Sequence, residues 1–225
     1  KLFSIIAHDL RNPFNAIMGF SKLLKEDYEE MDNQQKKNVL DLINVSSQTA
    51  FNLLENLLQW ARTQTNKISY QPENFDLSET ATAAIELHSA LALKKGITLK
   101  NDIEQDTLVH ADKNMINAVL RNLISNAIKF SHPDGQIIVS ANKTGNAFEI
   151  AVADDGIGMD QECLNKLFRA DTFYSTTGTR GESGTGLGLI LCKEFVERNN
   201  GRIKANSKEG KGTTLSFTLN SAKRN

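Results

Sequence analysis

Residues 3–17 read FSIIAHDLRNPFNAI, and the fold of the N-terminal part of the chain turns on how that stretch is taken. His8 and Asp9 stand side by side in an apolar run, and Pro13 follows five residues after the histidine. Phe3, Ile6, Leu10, Pro13, Ile17, Phe20 and Leu24 recur at alternating spacings of three and four, the a/d seam of an amphipathic helix. With Phe3 at a, His8 falls at f, farthest from the packing face, Asp9 at g, and Asn12 at c, one turn further along. His8 is therefore either an ordinary surface histidine or a group held out for chemistry, and not a core residue. Asp9 can accept a hydrogen bond from the imidazole Nδ1, leaving Nε2 as an exposed lone pair at neutral pH. Pro13 removes a backbone donor and crowds the preceding turn, so a bend just beyond the histidine is expected.

A second seam runs through Leu40, Ile43, Ser47, Ala50, Leu54, Leu57 and Ala61, widened by Val39, Leu53 and Leu58. The polar stretch from Glu26 to Asn33 reads as the turn between two antiparallel helices. Two helices alone cannot bury faces this wide, so the expectation is an all-α helical hairpin that pairs as a homodimer into a four-helix bundle. From Thr65 to Asp76 the pattern changes, and short alternating strands appear between helices. The chain divides accordingly into residues 1–66, a connection at 67–75, and a second domain at 76–225.

In the second domain, helices are expected at Leu77–Lys94, Asp112–Phe130 and Leu187–Asn199. Strands are expected at Ile97–Asn101, Gln136–Ala141, Phe148–Ala153, Arg202–Asn206 and Thr213–Leu219, with a hairpin turn at Thr144-Gly145-Asn146. Several strands follow one another without an intervening helix. This favours an α/β sandwich, a mixed sheet covered by helices on one face, over a doubly wound parallel sheet.

The bulk composition excludes several partners. With 26 basic and 27 acidic residues among 225, the net charge is -1, and no long basic run suggests nucleic acid or an anionic membrane. No apolar stretch approaches the roughly 18 residues of a membrane span. Cys163 and Cys192 lie far apart in apolar helical contexts and read as reduced packing residues of a cytoplasmic protein. The chain starts without methionine inside a helical pattern, as expected of a soluble piece of a longer protein whose other parts could include a membrane anchor.

Four stretches of the second domain carry chemistry. In Asn122–Ser131, NLISNAIKFS, two amides one helical turn apart can offer oxygens to Mg²⁺, and Lys129 near the same face can reach phosphate. The same pattern also fits a plain amphipathic helix. In Asp154–Met159, DDGIGM, a carboxylate at a strand end can accept from the amino group of adenine, and Gly156 and Gly158 allow close approach of the backbone. In Gly184–Leu189, GTGLGL, the glycine amides open a helix, where an anion binds. Last is Gly210–Thr214, GKGTT, leading into the final strand. There is no G-x-x-x-x-G-K-[ST], and the G-x-G-x-G spacing after a long polar loop does not fit a dinucleotide fingerprint.

Phe3–Pro13 resembles the H-box of sensor histidine kinases, and the four later stretches resemble, in order, the N, G1, G2 and G3 boxes of the Bergerat-type ATP-binding fold. The resemblance covers nearly the whole chain. It implies that His8 accepts the γ-phosphoryl group of ATP, that Asp9 activates it, and that Asn12 positions a water for phosphatase chemistry. It further implies that Asn122 and Asn126 face Mg²⁺ and the phosphates with help from Lys129, and that Asp154 reads adenine beside Gly156 and Gly158. By the same resemblance Gly184, Gly186, Leu187 and Gly188 are expected to form the phosphate loop, and Thr213 to complete the nucleotide site. Phe168 resembles the F-box phenylalanine, residues 169–183 the lid, and Arg180 the lid cation. The implied activity is autophosphorylation by ATP followed by transfer to an aspartate on a response-regulator receiver domain. A Bergerat ATPase clamp would share the nucleotide boxes but has no reason for an exposed His-Asp pair. A non-catalytic scaffold has no reason to keep both asparagines and the glycines.

Overall fold

The computed structural model describes residues 2–64, 70–169, 178–180 and 187–222; within it, the side chains of residues 2–9, 52, 55, 56, 59–64 and 187 lie outside the description. The chain forms two compact units, residues 1–68 and 69–225.

The first unit is a helical hairpin of α1 (Leu2–Glu26) and α2 (Asn33–Gln64). The helix continues through Pro13, which is buried; the expected bend leaves no break in α1. A reciprocal cap starts α2: the Gln35 N–H donates to Asp32 Oδ1 at 2.7 Å, and the Asp32 N–H to Gln35 Oε1 at 2.9 Å. The inward residues of α2 are Val39, Ile43, Ser46, Ala50, Leu53 and Leu57. The expected seam is thus displaced by one residue at Leu40, Ser47 and Leu54, which are exposed. Paired leucines at 53/54 and 57/58 give α2 two apolar stripes. The outer one, with Leu40, Phe51, Leu54 and Leu58, joins Phe14 and Met18 of α1 in leaving large apolar side chains uncovered within a single chain.

The second unit is a mixed sheet under helices. Its elements are β1 (Pro72–Asp76), α3 (Leu77–Lys95), β2 (Thr98–Asp102), β3 (Leu108–Asp112), α4 (Lys113–Phe130), β4 (Gln136–Thr144), β5 (Ala147–Asp154), α5 (Gln161–Lys166), α6 (Leu187–Arg198), β6 (Ile203–Ser207) and β7 (Thr213–Asn220). The sheet order is β2-β4-β5-β7-β6; β2 and β4 are parallel and the other neighbours antiparallel. A separate antiparallel pair, β1 with β3, was not expected. It places residues 72–75, which the sequence suggested as connection, in a strand of the second unit.

Period-two alternation turns Ile137 and Val139 of β4, Ile150 and Val152 of β5, and Leu215, Phe217 and Leu219 of β7 inward. Against them α4 buries Met115, Ile116, Val119, Leu120, Leu123, Ile124, Ala127 and Ile128, a stripe at helical spacing. α4 packs between α3 and α6, so the helices form one layer. Both cysteines are buried and neither forms a disulfide. Among the described residues no helix is long and apolar enough to cross a membrane.

One carboxylate fixes where α4 begins. Asp112 is its N-cap: Oδ1 accepts from the Met115 N–H at 3.1 Å and Oδ2 from the Gln71 N–H at 3.0 Å, while its own N–H donates to Asn199 Oδ1 at 2.7 Å. The side chain of Asn199, 1% exposed, also donates to the Phe195 carbonyl at 2.8 Å, joining the end of α6 to the start of α4. Asp112→Ala removes the acceptor for both N–H groups and is expected to lower stability by about 1–3 kcal/mol. Urea denaturation measures this, and a loss below about 0.5 kcal/mol would remove Asp112 from its place as the anchor of α4.

Candidate functional site

The site forms where the inward face of β5 runs out. Ile150, Val152 and Asp154 alternate on one face, and the register sets Asp154 between Ile137 of β4 and Thr213 of β7. A position that is apolar elsewhere along the strand is thus filled by a carboxylate. Burial pushes the Asp154 carboxyl up to about 6, against the lowering effect of the Gly156 and Thr213 amides. Both amides donate to the same oxygen: Gly156 N–H to Oδ1 at 3.0 Å and Thr213 N–H to Oδ1 at 3.2 Å. Oδ2 takes neither of these bonds. A concavity of about 180 Å³ opens here, lined by Asp154, Asn206, Ser207, Lys208, Lys211 and Gly212 through Thr214. A carboxylate oxygen in this polar concavity can accept a hydrogen bond from an amino group of a ligand.

The glycines around Asp154 are set by the approach of backbones. A Cβ at Gly156 would overlap the Phe130 carbonyl, which accepts the Ile157 N–H at 3.1 Å. Gly212 has φ +80, and a Cβ there would overlap the Asp154 carbonyl. A Cβ at Gly158 would meet the Lys208 carbonyl, so the turn after β5 also rests on the loop before β7. Ser207 ties that loop together, its hydroxyl bonding Gly212 O at 2.9 Å and receiving the Met159 N–H at 2.8 Å. Ser207 carries no signal at the level of sequence, since a serine ending a strand is ordinary on its own.

The helix α4 carries the second part of the site. Asn122 and Asn126 are half-buried and lie together, Asn126 Nδ2 to Asn122 Oδ1 at 3.4 Å. Gly188, in the first turn of α6, comes so close to the Asn122 amide that a Cβ would overlap it. The start of α6 is thereby brought to the two asparagines. Lys129 is half-buried, with Nζ 4.6 Å from the centroid of the Phe130 ring.

The remaining expected residues are distributed as follows. Phe168 is half-buried in the turn after α5. Arg180 donates from Nη1 to the Lys94 carbonyl at the end of α3, at 2.9 Å. Thr213 is buried and bonded to Ser207, with Oγ1 to Oγ at 2.9 Å. Leu187 is the first residue of α6; its side chain, together with Gly184 and Gly186, lies outside the described residues. In the hairpin, Asn12 is exposed on α1; His8 and Asp9 precede it on the same helix, and their side chains are outside the description.

With this geometry in hand, comparison with known proteins is specific. Residues 1–66 match the His Kinase A (phospho-acceptor) domain family. Residues 111–223 match the histidine kinase-, DNA gyrase B- and HSP90-like ATPase family. The histidine protein kinase DivJ of Caulobacter vibrioides is 32% identical over 222 residues, covering 97% of this chain and 37% of that protein. The autoinducer 2 sensor kinase/phosphatase LuxQ of Vibrio harveyi is 28% identical over 222 residues, covering 95% of this chain and 25% of that protein. The chain thus spans well under half the length of either. The crystal structure of histidine kinase ThkA in complex with response regulator protein TrrA shares the fold, with a TM-score of 0.76 at 21% identity over 98% of this chain and 61% of that one. A His Kinase A domain followed by a histidine kinase-like ATPase domain is the organisation of one family: the chain belongs to the sensor histidine kinases.

Proposed function

We propose that this chain transfers the γ-phosphoryl group of ATP to His8 and passes it on to an aspartate of a response-regulator receiver domain. The observation that carries the ATP reading is Asp154, a carboxylate ending an apolar strand face with one oxygen held by two amides, in the lining of a concavity. Oδ2 accepts from the adenine amino group, and the glycine turn leaves room for the base. Asn122 and Asn126 supply oxygens for Mg²⁺, which when bound neutralises charge on the phosphate oxygens. Lys129 and the amides of residues 184–188 hold the phosphates, and Arg180 leaves the Lys94 carbonyl to assist them. Thr213 and Phe168 complete the nucleotide site.

In the transfer, His8 Nε2 attacks the γ-phosphorus, the bond from that phosphorus to the β,γ-bridging oxygen breaks, and ADP leaves. Asp9 holds Nδ1 in its protonated form and receives its hydrogen bond as the ring gains positive charge. Catalysis is mostly positioning and charge neutralisation. The receiver aspartate then attacks the phosphohistidine and frees the imidazole. The family of residues 1–66, named for its phospho-acceptor, supports His8 in this role. LuxQ, whose name includes phosphatase, supports the further step in which Asn12 positions a water against the phosphorylated receiver. Residues 1–66 act as the dimerisation and phosphoacceptor domain, 67–71 as the connection, and 72–225, from β1 onward, as the catalytic domain. The uncovered side chains of Phe14, Met18, Leu40, Phe51, Leu54 and Leu58 favour a homodimer built on the hairpin.

Incubation with γ-labelled ATP and Mg²⁺ is expected to give an acid-labile, base-stable label on the parent chain that is absent from His8→Ala. Label retained by His8→Ala would contradict the assignment of the phosphoacceptor.

Asp154→Asn separates affinity from stability. The amide oxygen keeps both backbone N–H bonds, but its NH₂ then opposes the adenine amino group, donor against donor. Nucleotide affinity is expected to fall by at least about tenfold. Stability moves the other way, because the carboxyl rises from 3.8 to about 6 on folding and its ionised form is disfavoured there. The penalty is absent below about pH 4, grows between about pH 4 and 6, and is complete above. The variant is therefore expected to melt higher than the parent at pH 7.5 and at the same temperature at pH 3.5. Equal melting temperatures at both pH values would show that Asp154 carries no such burden.

A further inference from the structure

The C-terminal end of α4 is where the parts of the site meet. A helix leaves its last carbonyls without partners inside the helix, and here different segments take them up. Ala127 O accepts from the Ser131 N–H at 2.9 Å and its Oγ at 2.7 Å. Lys95 Nζ, on a side chain 4% exposed, donates to Ile128 O at 2.7 Å and to Lys129 O at 2.9 Å. Phe130 O accepts from the Ile157 N–H of the glycine turn at 3.1 Å. Thr179 supplies the rest: its N–H donates to Lys129 O at 3.1 Å, and its hydroxyl lies 2.8 Å from Ser131 O and 3.3 Å from Lys129 O.

The arrangement is electrostatically coherent. The negative end of the helix dipole faces a buried ammonium, which is the favourable sign. Thr179 comes from the segment between Phe168 and the Gly184–Leu189 stretch, about 50 residues beyond the carbonyls it caps, so its bonds join distant parts of the chain. The next residue, Arg180, is bonded at the end of α3 to Lys94 O, beside Lys95. Two consecutive residues of that segment are thus fastened to the ends of the two helices that Lys95 connects.

We propose that Thr179 is a positioning residue for nucleotide. Together with Lys95 it fixes the end of α4, and hence the Phe130 carbonyl that holds the Gly156–Ile157 turn and the backbone from which Lys129 extends. It acts through these groups and touches no part of the nucleotide. The proposal rests on the reading of Asn122–Lys129 and Asp154–Gly158 as the ATP site.

The test compares the parent chain with Thr179→Val and Thr179→Ser. Valine keeps the shape and the backbone N–H but removes the hydroxyl, whereas serine restores it. Three quantities are read: the Kd of a fluorescent trinitrophenyl-ATP with Mg²⁺, KM and kcat for ATP in autophosphorylation, and Tm. Thr179→Val is expected to raise Kd and KM by about five- to tenfold, with kcat falling much less. Thr179→Ser is expected to return both to within about twofold of the parent. A lowered Tm with unchanged Kd would assign Thr179 to stability alone and overturn the proposal. So would a serine variant as weak as the valine variant, since the hydroxyl would then not be the acting group. Failure of the parent itself to bind the probe would overturn the ATP reading and this proposal with it, and is distinguished because it appears before any substitution is made.

Discussion

Two amides converge on one oxygen of Asp154, at the point where the apolar face of β5 gives out. The ionised form of a carboxylate is disfavoured in that setting, and burial accordingly pushes this one up to about 6. The two donors keep it from rising further, and they fix its direction by occupying Oδ1. Each depends on a close passage of backbones: Gly156 passes under the Phe130 carbonyl, and Gly212 passes against the Asp154 carbonyl. The end of α4, the turn after β5 and the loop before β7 are therefore mutually determined. A side chain on either glycine would displace that carboxylate.

The rest of the second unit positions α4 relative to that carboxylate. Asp112 and Asn199 fix the start of the helix, and its buried stripe lies on the inward face of the sheet. Its end is held by Lys95, Thr179 and the glycine turn. With both ends fixed, Asn122 and Asn126 stand on the side of the helix met by the first turn of α6, where Gly188 is small enough to let the amide through. The first unit follows a different logic. Its helices bury one stripe against each other and leave a second uncovered, a surface that suits association with a second copy.

Much of this organisation was legible in the sequence because it is carried by periodicity and by glycine. The spacing of Ile116 to Ile128, the alternation of Phe148 to Asp154, and the glycines after Asp154 each announce their geometry locally. Less visible was whatever depends on partners distant in the chain. The pair β1 and β3 was missed because PENFD is mostly exposed and too short to alternate clearly. The inward face of α2 was placed one residue off in three positions because adjacent leucines serve two stripes. Nothing in the sequence marks Lys95, which is buried under carbonyls more than 30 residues away. Thr179 read as one hydroxyl residue among many in a polar loop, and only the fold brings it to α4.

The central claim is that the Asp154 carboxylate is held in a desolvated position so that its free oxygen can read an adenine amino group. Carbon-13 NMR titration of this one carboxyl, without and with Mg-ATP, tests it most directly. The account predicts a midpoint near 6 in the free protein that moves down by about one unit or more on binding, because nucleotide selects the ionised form. A midpoint in the ordinary carboxylate range, or one that does not move when nucleotide binds, would contradict it.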